Sequence, residues 1–270
     1  MAFQSASTLF FQQLIPFFLP VFQIDDTVKL KRFEQAVNQY TVYTFTIDKL
    51  IDGDLDVVSH KEKASKEITQ AMHYNTQALL TLSQLFDSEH QFWDTFNKNI
   101  ELYYKGLVQE KIDSQNKSEY SLESFKDYAL AKHAPAFIPI YGLRYLFDFN
   151  AEWAQVAALL RKLFLAMQML DDLEDFNKDV ASNQYTYCIS EADRFIKENN
   201  LQKKAHLDRF KERVFYVSGI AATCNSYATE AFTEAQNLSK ILGLKALSEW
   251  ITQMLTFLAH NKKIIQEVSN

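Results

Sequence analysis

The sequence predicts an all-α fold, a single-domain helical bundle. Three observations carry this. Apolar residues recur at helical spacing almost throughout its 270 residues. Only 5 Gly and 4 Pro occur, where average usage is roughly 7% and 5%. That leaves little punctuation for the turns of a sheet protein. Hydrophobic residues make up 47% and aromatics 14%, with 22 Phe and 13 Tyr, enough for a sizeable core.

The periodicity places helices, in order, over residues 5–22, 27–52, 57–86, 89–112, 121–147, 151–180, 190–198, 205–235 and 245–267. Long helices with short connections describe a bundle rather than a solenoid. No internal repeat is visible, so residues 1–270 read as one domain. The first helix is rich in Phe, Leu and Ile, but Gln12, Gln13, Pro16 and Pro20 interrupt it. Spanning a bilayer takes ~20 predominantly apolar residues. A buried first helix is therefore expected rather than a transmembrane segment, with a membrane-surface anchor as the alternative. It lacks the basic flank and small-residue cleavage site of a signal peptide. The polar stretch 113–119 and residues 183–187 read as loops. Pro135 and Pro139 should kink or break the fifth helix.

The net charge is −6, and no basic block appears. Nucleic acid is not an expected partner. Cys188 and Cys224 are too few for a disulfide framework and fit free thiols in a reducing, cytoplasmic setting.

Two acidic clusters point to chemistry. Asp48 and Asp52 lie four residues apart, as do Asp171, Asp175 and Asp179. On a helix, that spacing stacks side chains on one face. Leu160, Phe164 and Met167 lead into Asp171, so the apolar stripe continues as acid. A solvated charge run normally lies opposite the stripe. Converging carboxylates repel unless a cation sits between them. Mg²⁺ prefers oxygen ligands and substrate phosphates, so the two clusters suggest a metal-bridged diphosphate site. The plainer reading of the first cluster, with Asp54 and Asp56 following, is an acidic helix end entering a polar loop. That of the second is a helix protruding from the core.

Here the chain resembles the class I isoprenoid synthases. Gln168-Met169-Leu170-Asp171-Asp172-Leu173-Glu174-Asp175 is similar to the second acidic motif of polyprenyl diphosphate synthases. The run 171–179 resembles the metal triad of terpene cyclases, with Asp175 and Asp179 in place of Ser/Thr and Glu. The resemblance implies an all-α bundle of the terpenoid synthase type. It implies Mg²⁺ held by Asp48, Asp52, Asp171, Asp175 and Asp179, and an allylic prenyl diphosphate substrate. Asp48, Asp52, Asp171 and Asp175 would be catalytic through that metal. Lys178 falls on a diphosphate-contacting lysine, and Tyr185 lies in the loop that caps the site. Lys49 stands where the first motif has its second Asp. The same spacing also resembles squalene and phytoene synthases, although Ile51 replaces their usual Glu.

Lys132 resembles a lysine in a comparable polyprenyl synthase helix, and Arg144 is a second candidate for the diphosphate. For both, a solvated surface cation is the alternative. His133 reads as a satisfied helix residue. The segment 101–110 is a candidate cavity wall, and helix packing explains its Gly106 equally well. Phe45, Phe137, Tyr141, Phe164 and Trp250 are candidates to shield a carbocation, with core packing as the plainer role. The double arginine of chain-elongating enzymes is missing, and Ser59-His60-Lys61-Glu62-Lys63 stands there instead. The arginine-tyrosine pair near the C-terminus of many cyclases is also absent.

The expectation is an Mg²⁺-dependent terpene synthase that ionises and cyclises an allylic prenyl diphosphate. The alternatives are an enzyme joining two prenyl diphosphates, or a non-catalytic helical interaction protein. Membrane-surface contact and a homodimer are both compatible with the sequence.

Overall fold

The computed structural model describes residues 3–53, 55, 57–149, 151–204 and 209–269. They are almost entirely helical. The helices are α1 (Phe3–Gln12), α2 (Leu14–Phe18), α3 (Thr27–Asp52), α4 (Lys61–Leu85), α5 (Gln91–Asn116), α6 (Leu122–Lys132) and α7 (Phe137–Leu146). After them come α8 (Trp153–Glu174), α9 (Phe176–Ser182), α10 (Tyr187–Glu198), α11 (Phe210–Val217), α12 (Ile220–Ile241) and α13 (Lys245–Ser269). Two strands, β1 (Phe22–Gln23) and β2 (Asp148–Phe149), pair antiparallel with Phe22 opposite Phe149. Two residues are too few to show alternation, so periodicity gives no hint of them. None of the described helices is long and apolar enough to cross a membrane.

Several expected helices form as single elements. Residues 27–52 form α3, begun by Asp26, whose Oδ1 accepts from the Val28 and Lys29 amides at 3.0 and 2.8 Å. Gly53 ends it at φ 79°, a left-handed conformation that suits glycine. Four expected helices are split, among them 151–180, which divides at Asp175 into α8 and α9. The stretch 5–22 breaks after Gln12 and ends in a tight turn containing Pro20. The stretch 121–147 breaks at the turn Ala134–Ala136 around Pro135. Pro139 is tolerated in the first turn of α7, where the amide it lacks has no helical acceptor. The stretch 205–235 breaks at Ser218 and Gly219, with Gly219 at φ 86°. Helix α5 runs on to Asn116, through most of the expected loop at 113–119.

The chain forms two compact units. One comprises Met1–Phe11, Asn99–Phe137 and Ala151–Asn270, the other Gln12–Lys98 and Ile138–Asn150. In the first, α8 packs along α12, and α12 along α13. Helix α8 is buried on nearly every side in its C-terminal half, from Leu163 to Leu170. Ala221, Ala228, Ala231 and Ala235 are buried on α12, and small side chains let neighbouring helices come close. In the second unit α3 packs on α4, whose buried Ala64, Ala71 and Ala78 repeat every seven residues.

Gly142 on α7 marks the tightest packing there. A Cβ at this position would lie 2.2 Å from Cζ of Phe33, which is fully buried on α3. Either the ring or α7 must shift to admit a Cβ. Gly142→Ala should therefore cost about 1–3 kcal/mol. A chemical denaturation midpoint unchanged from the parent would show that α7 shifts freely.

Candidate functional site

The aspartate line is built by helical register. Asp175 donates its amide to the Asp171 carbonyl at 2.9 Å, and Asp179 to the Asp175 carbonyl at 2.8 Å. The i→i+4 backbone ladder thus passes through the bend at Asp175, where α8 gives way to α9, and sets the three aspartates on successive turns. Leu160, Phe164 and Met167, upstream on the same stripe, are buried. The acids do not project from the core. Asp179 is 6% exposed, and the Asp175 side chain 25%. Asp171 is half-buried.

Asp172, which spacing alone did not select, is the most deeply buried acid of the run at 2%. Gln168 Nε2 donates to its Oδ1 at 2.7 Å, while its Oδ2 has no hydrogen-bond partner.

Helices α5 and α6 supply a facing pair. A Cβ on Gly106 would sit 2.9 Å from Ala131 Cβ, so this glycine is a packing residue that lets α5 and α6 close together. One turn past Gly106 comes Glu110, and one residue past Ala131 comes Lys132. Lys132 Nζ lies 3.6 Å from Glu110 Oε1 and donates to the Tyr128 hydroxyl at 3.2 Å. Gln184, in the loop after α9, donates to Glu110 Oε1 at 2.5 Å. Glu110 is 2% exposed, and its Oε2 has no hydrogen-bond partner.

The electrostatics are those of crowded acid. Burial raises Asp171 and raises Asp172 well above the usual carboxylate range. The Lys132 charge opposes both shifts. Asp179 is pushed up to about 7, first by burial and then by Asp175 and Asp171. Burial works against the Lys132 ammonium, but Tyr128, Glu110 and Asp171 outweigh it and keep it protonated.

A pH dependence follows. Folded Asp179 binds its proton more tightly than the unfolded chain, whose value is near 3.8. Its stabilisation is complete below pH 4 and disappears as pH rises through 7. A shift of this size is at most about 4 kcal/mol, and solvent screening reduces it to about 1–2 kcal/mol. In metal-free buffer, Asp179→Asn should gain stability over the parent between pH 5 and pH 8. Parallel melting curves for the two proteins across that range would contradict this.

The other nominated residues are spread more widely. Asp48 is half-buried on α3 in the second unit, beyond Thr41 and Thr44, whose hydroxyls donate to the Val37 and Tyr40 carbonyls. Asp52 is the last residue of α3. Its side chain, and all of Asp54 and Asp56, lie outside the described residues. Phe45 on α3 is 44% exposed, and Arg144 is exposed on α7. Lys178 is exposed and bonded to Asp175 Oδ2 at 3.1 Å. Tyr185 is buried, donates its amide to Ser114 Oγ at 2.9 Å, and turns its phenol toward Ser190 and Asp193.

Phe164 is fully buried, stacked on His133 at 4.9 Å and edge-on to Phe137 at 5.2 Å. His133 is satisfied through Nδ1, 2.8 Å from the Ala129 carbonyl, and burial pushes its imidazole down to about 4. Trp250 packs on Phe10 at 4.8 Å, and Tyr141 on Tyr145 at 6.4 Å. A groove of about 910 Å³ lies along α5 and α6, lined by Leu102, Tyr104, Val108, Tyr120 and Tyr128, but not by the aspartate ladder.

Among the described residues, no three His, Cys, Asp or Glu side chains converge closely enough to hold a metal ion by themselves. Mg²⁺ seldom asks for that. It usually takes one or two carboxylates and completes its shell with water and phosphate oxygens. The donors here are all hard oxygens, and two of them, Asp172 Oδ2 and Glu110 Oε2, are buried without a hydrogen bond. Hard carboxylate oxygens of this kind are the donors that this cation takes. No protein-family model and no curated protein matches the sequence.

Proposed function

We propose that this chain is an Mg²⁺-dependent class I terpene synthase that ionises an allylic prenyl diphosphate and lets the carbocation cyclise or rearrange. The observation that carries this reading is the aspartate ladder, which prolongs the buried stripe of α8 and is acted on by the charge of the protonated Lys132.

In this reading Asp171, Asp175 and Asp179 would hold the metal, and Asp48 and Asp52 would be the ligands of the first motif. Mg²⁺, when bound, neutralises the departing diphosphate and so stabilises the charge that develops as the C–O bond breaks. Lys132 donates to a diphosphate oxygen from a position already desolvated, where a hydrogen bond to an anion is strong. Lys178 exchanges Asp175 for the ligand. Apolar walls exclude the water that would quench a cation, and aromatic faces attract it. The missing double arginine and Lys178 within the motif favour cyclisation over chain elongation.

The test is incubation with allylic diphosphates of ten, fifteen, twenty and twenty-five carbons, with Mg²⁺ or with chelator. Pyrophosphate release and the mass of extracted products are then measured. The reading expects metal-dependent release and a hydrocarbon or alcohol of unchanged carbon number. A product with twice the carbons would assign the coupling reaction instead. No release with any substrate would leave a non-catalytic helical protein.

A further inference from the structure

Cys188 on α10 and Cys224 on α12 are 36 residues apart in sequence, yet their sulfurs lie 3.5 Å apart. Both thiols are free and buried, at 0% and 2% exposure. Each sits among apolar neighbours on its helix, Ile189 and Ala192 on α10, Ala221 and Ala228 on α12. The two helices pack directly on each other. A disulfide needs its sulfurs about 2.05 Å apart, so these two must close from 3.5 Å. These are the chain's 2 cysteines, so neither sulfur has a competing partner within the molecule.

We infer that Cys188 and Cys224 form a latent intramolecular disulfide, a two-electron dithiol site whose oxidant is a small neutral peroxide. One thiol reduces the O–O bond, becoming a sulfenic acid and releasing one water. The second sulfur attacks it, the S–S bond forms, and the hydroxyl leaves as a second water. Two S–H bonds and one O–O bond break, and both thiol protons end in water. Burial disfavours attack by a second protein molecule, so the product is internal. The bond ties the start of α10, just past the loop that holds Gln184 against Glu110, to α12. Burial also pushes the Cys188 thiol up, so exposure to oxidant must be prolonged.

The experiment treats the full chain with hydrogen peroxide at room temperature and again a few degrees below its melting point. Peroxide is quenched, the protein is denatured and alkylated, and intact mass is measured. The inference expects a loss of about 2 Da with no alkylation, restored by reductant. A proteolytic map should join the peptides that contain Cys188 and Cys224. The oxidised protein should melt about 5 °C or more higher, because the bond closes a long loop. Cys188→Ser and Cys224→Ser should each abolish the mass loss. If either variant fails to fold, the peptide map of the parent protein decides. Two alkylatable thiols after both treatments would overturn the inference. So would oxygen added without a cross-link, or linkage between molecules.

Discussion

Asp171→Asn should lower Mg²⁺-dependent pyrophosphate release by roughly 10³-fold, the size of effect seen when one group that stabilises developing charge is removed. Its fold should persist. The amide keeps the shape of the carboxylate, and burial together with Asp175 already makes the charge at Asp171 costly. Thermal stability in chelator is therefore expected to stay level or rise. Asp175→Asn should behave alike, since the backbone ladder sets this residue one turn beyond Asp171. The check pairs pyrophosphate release at saturating Mg²⁺ with a melting curve in chelator. Undiminished release from Asp171→Asn would remove the ladder from the mechanism, even in a protein that proves to be a synthase. Lost release with a collapsed melting curve would make Asp171 a structural residue.

The fold class was legible because the scarcity of Gly and Pro is a global property, and because α3 carries start and stop residues of its own. Pro135 breaks its stretch as the missing backbone donor requires, whereas the break at Gly219 was not legible, because one residue there divides a stretch whose apolar rhythm continues on both sides. Asp171, Asp175 and Asp179 were legible because acid took over an apolar stripe. The same rule applied to α5 selects Glu110, which follows buried Tyr103 and Leu107 at helical steps. Asp172 escapes that rule for a physical reason. Helix α8 is buried on almost all sides from Leu163 to Leu170, so the apolar run that leads to Asp171 does not single out Asp172. Lys132 could be named but not placed, because what separates it from a surface cation is the close approach of Gly106 to Ala131. The contact between Cys188 and Cys224 depends on how α10 and α12 pack, and no local pattern encodes it.

Phe164, a candidate to shield a carbocation, has surroundings that make its truncation costly to the fold. Its ring is fully buried, stacked on His133, edge-on to Phe137, and 6.1 Å from Phe10, which in turn meets Trp250. Phe164→Ala removes a ring from the middle of this cluster and leaves a cavity that aromatic neighbours cannot collapse to fill. The expected cost is about 3–5 kcal/mol. In urea, the unfolding midpoint should fall with an unchanged slope. Phe164→Leu keeps most of the volume and should lose less than half as much, mainly the ring contacts. The pair also separates two roles. A residue that merely lines an open pocket would lose about 1 kcal/mol or less in either variant. Any change in product from Phe164→Leu, measured where that protein is fully folded, then reports pocket shape rather than partial unfolding.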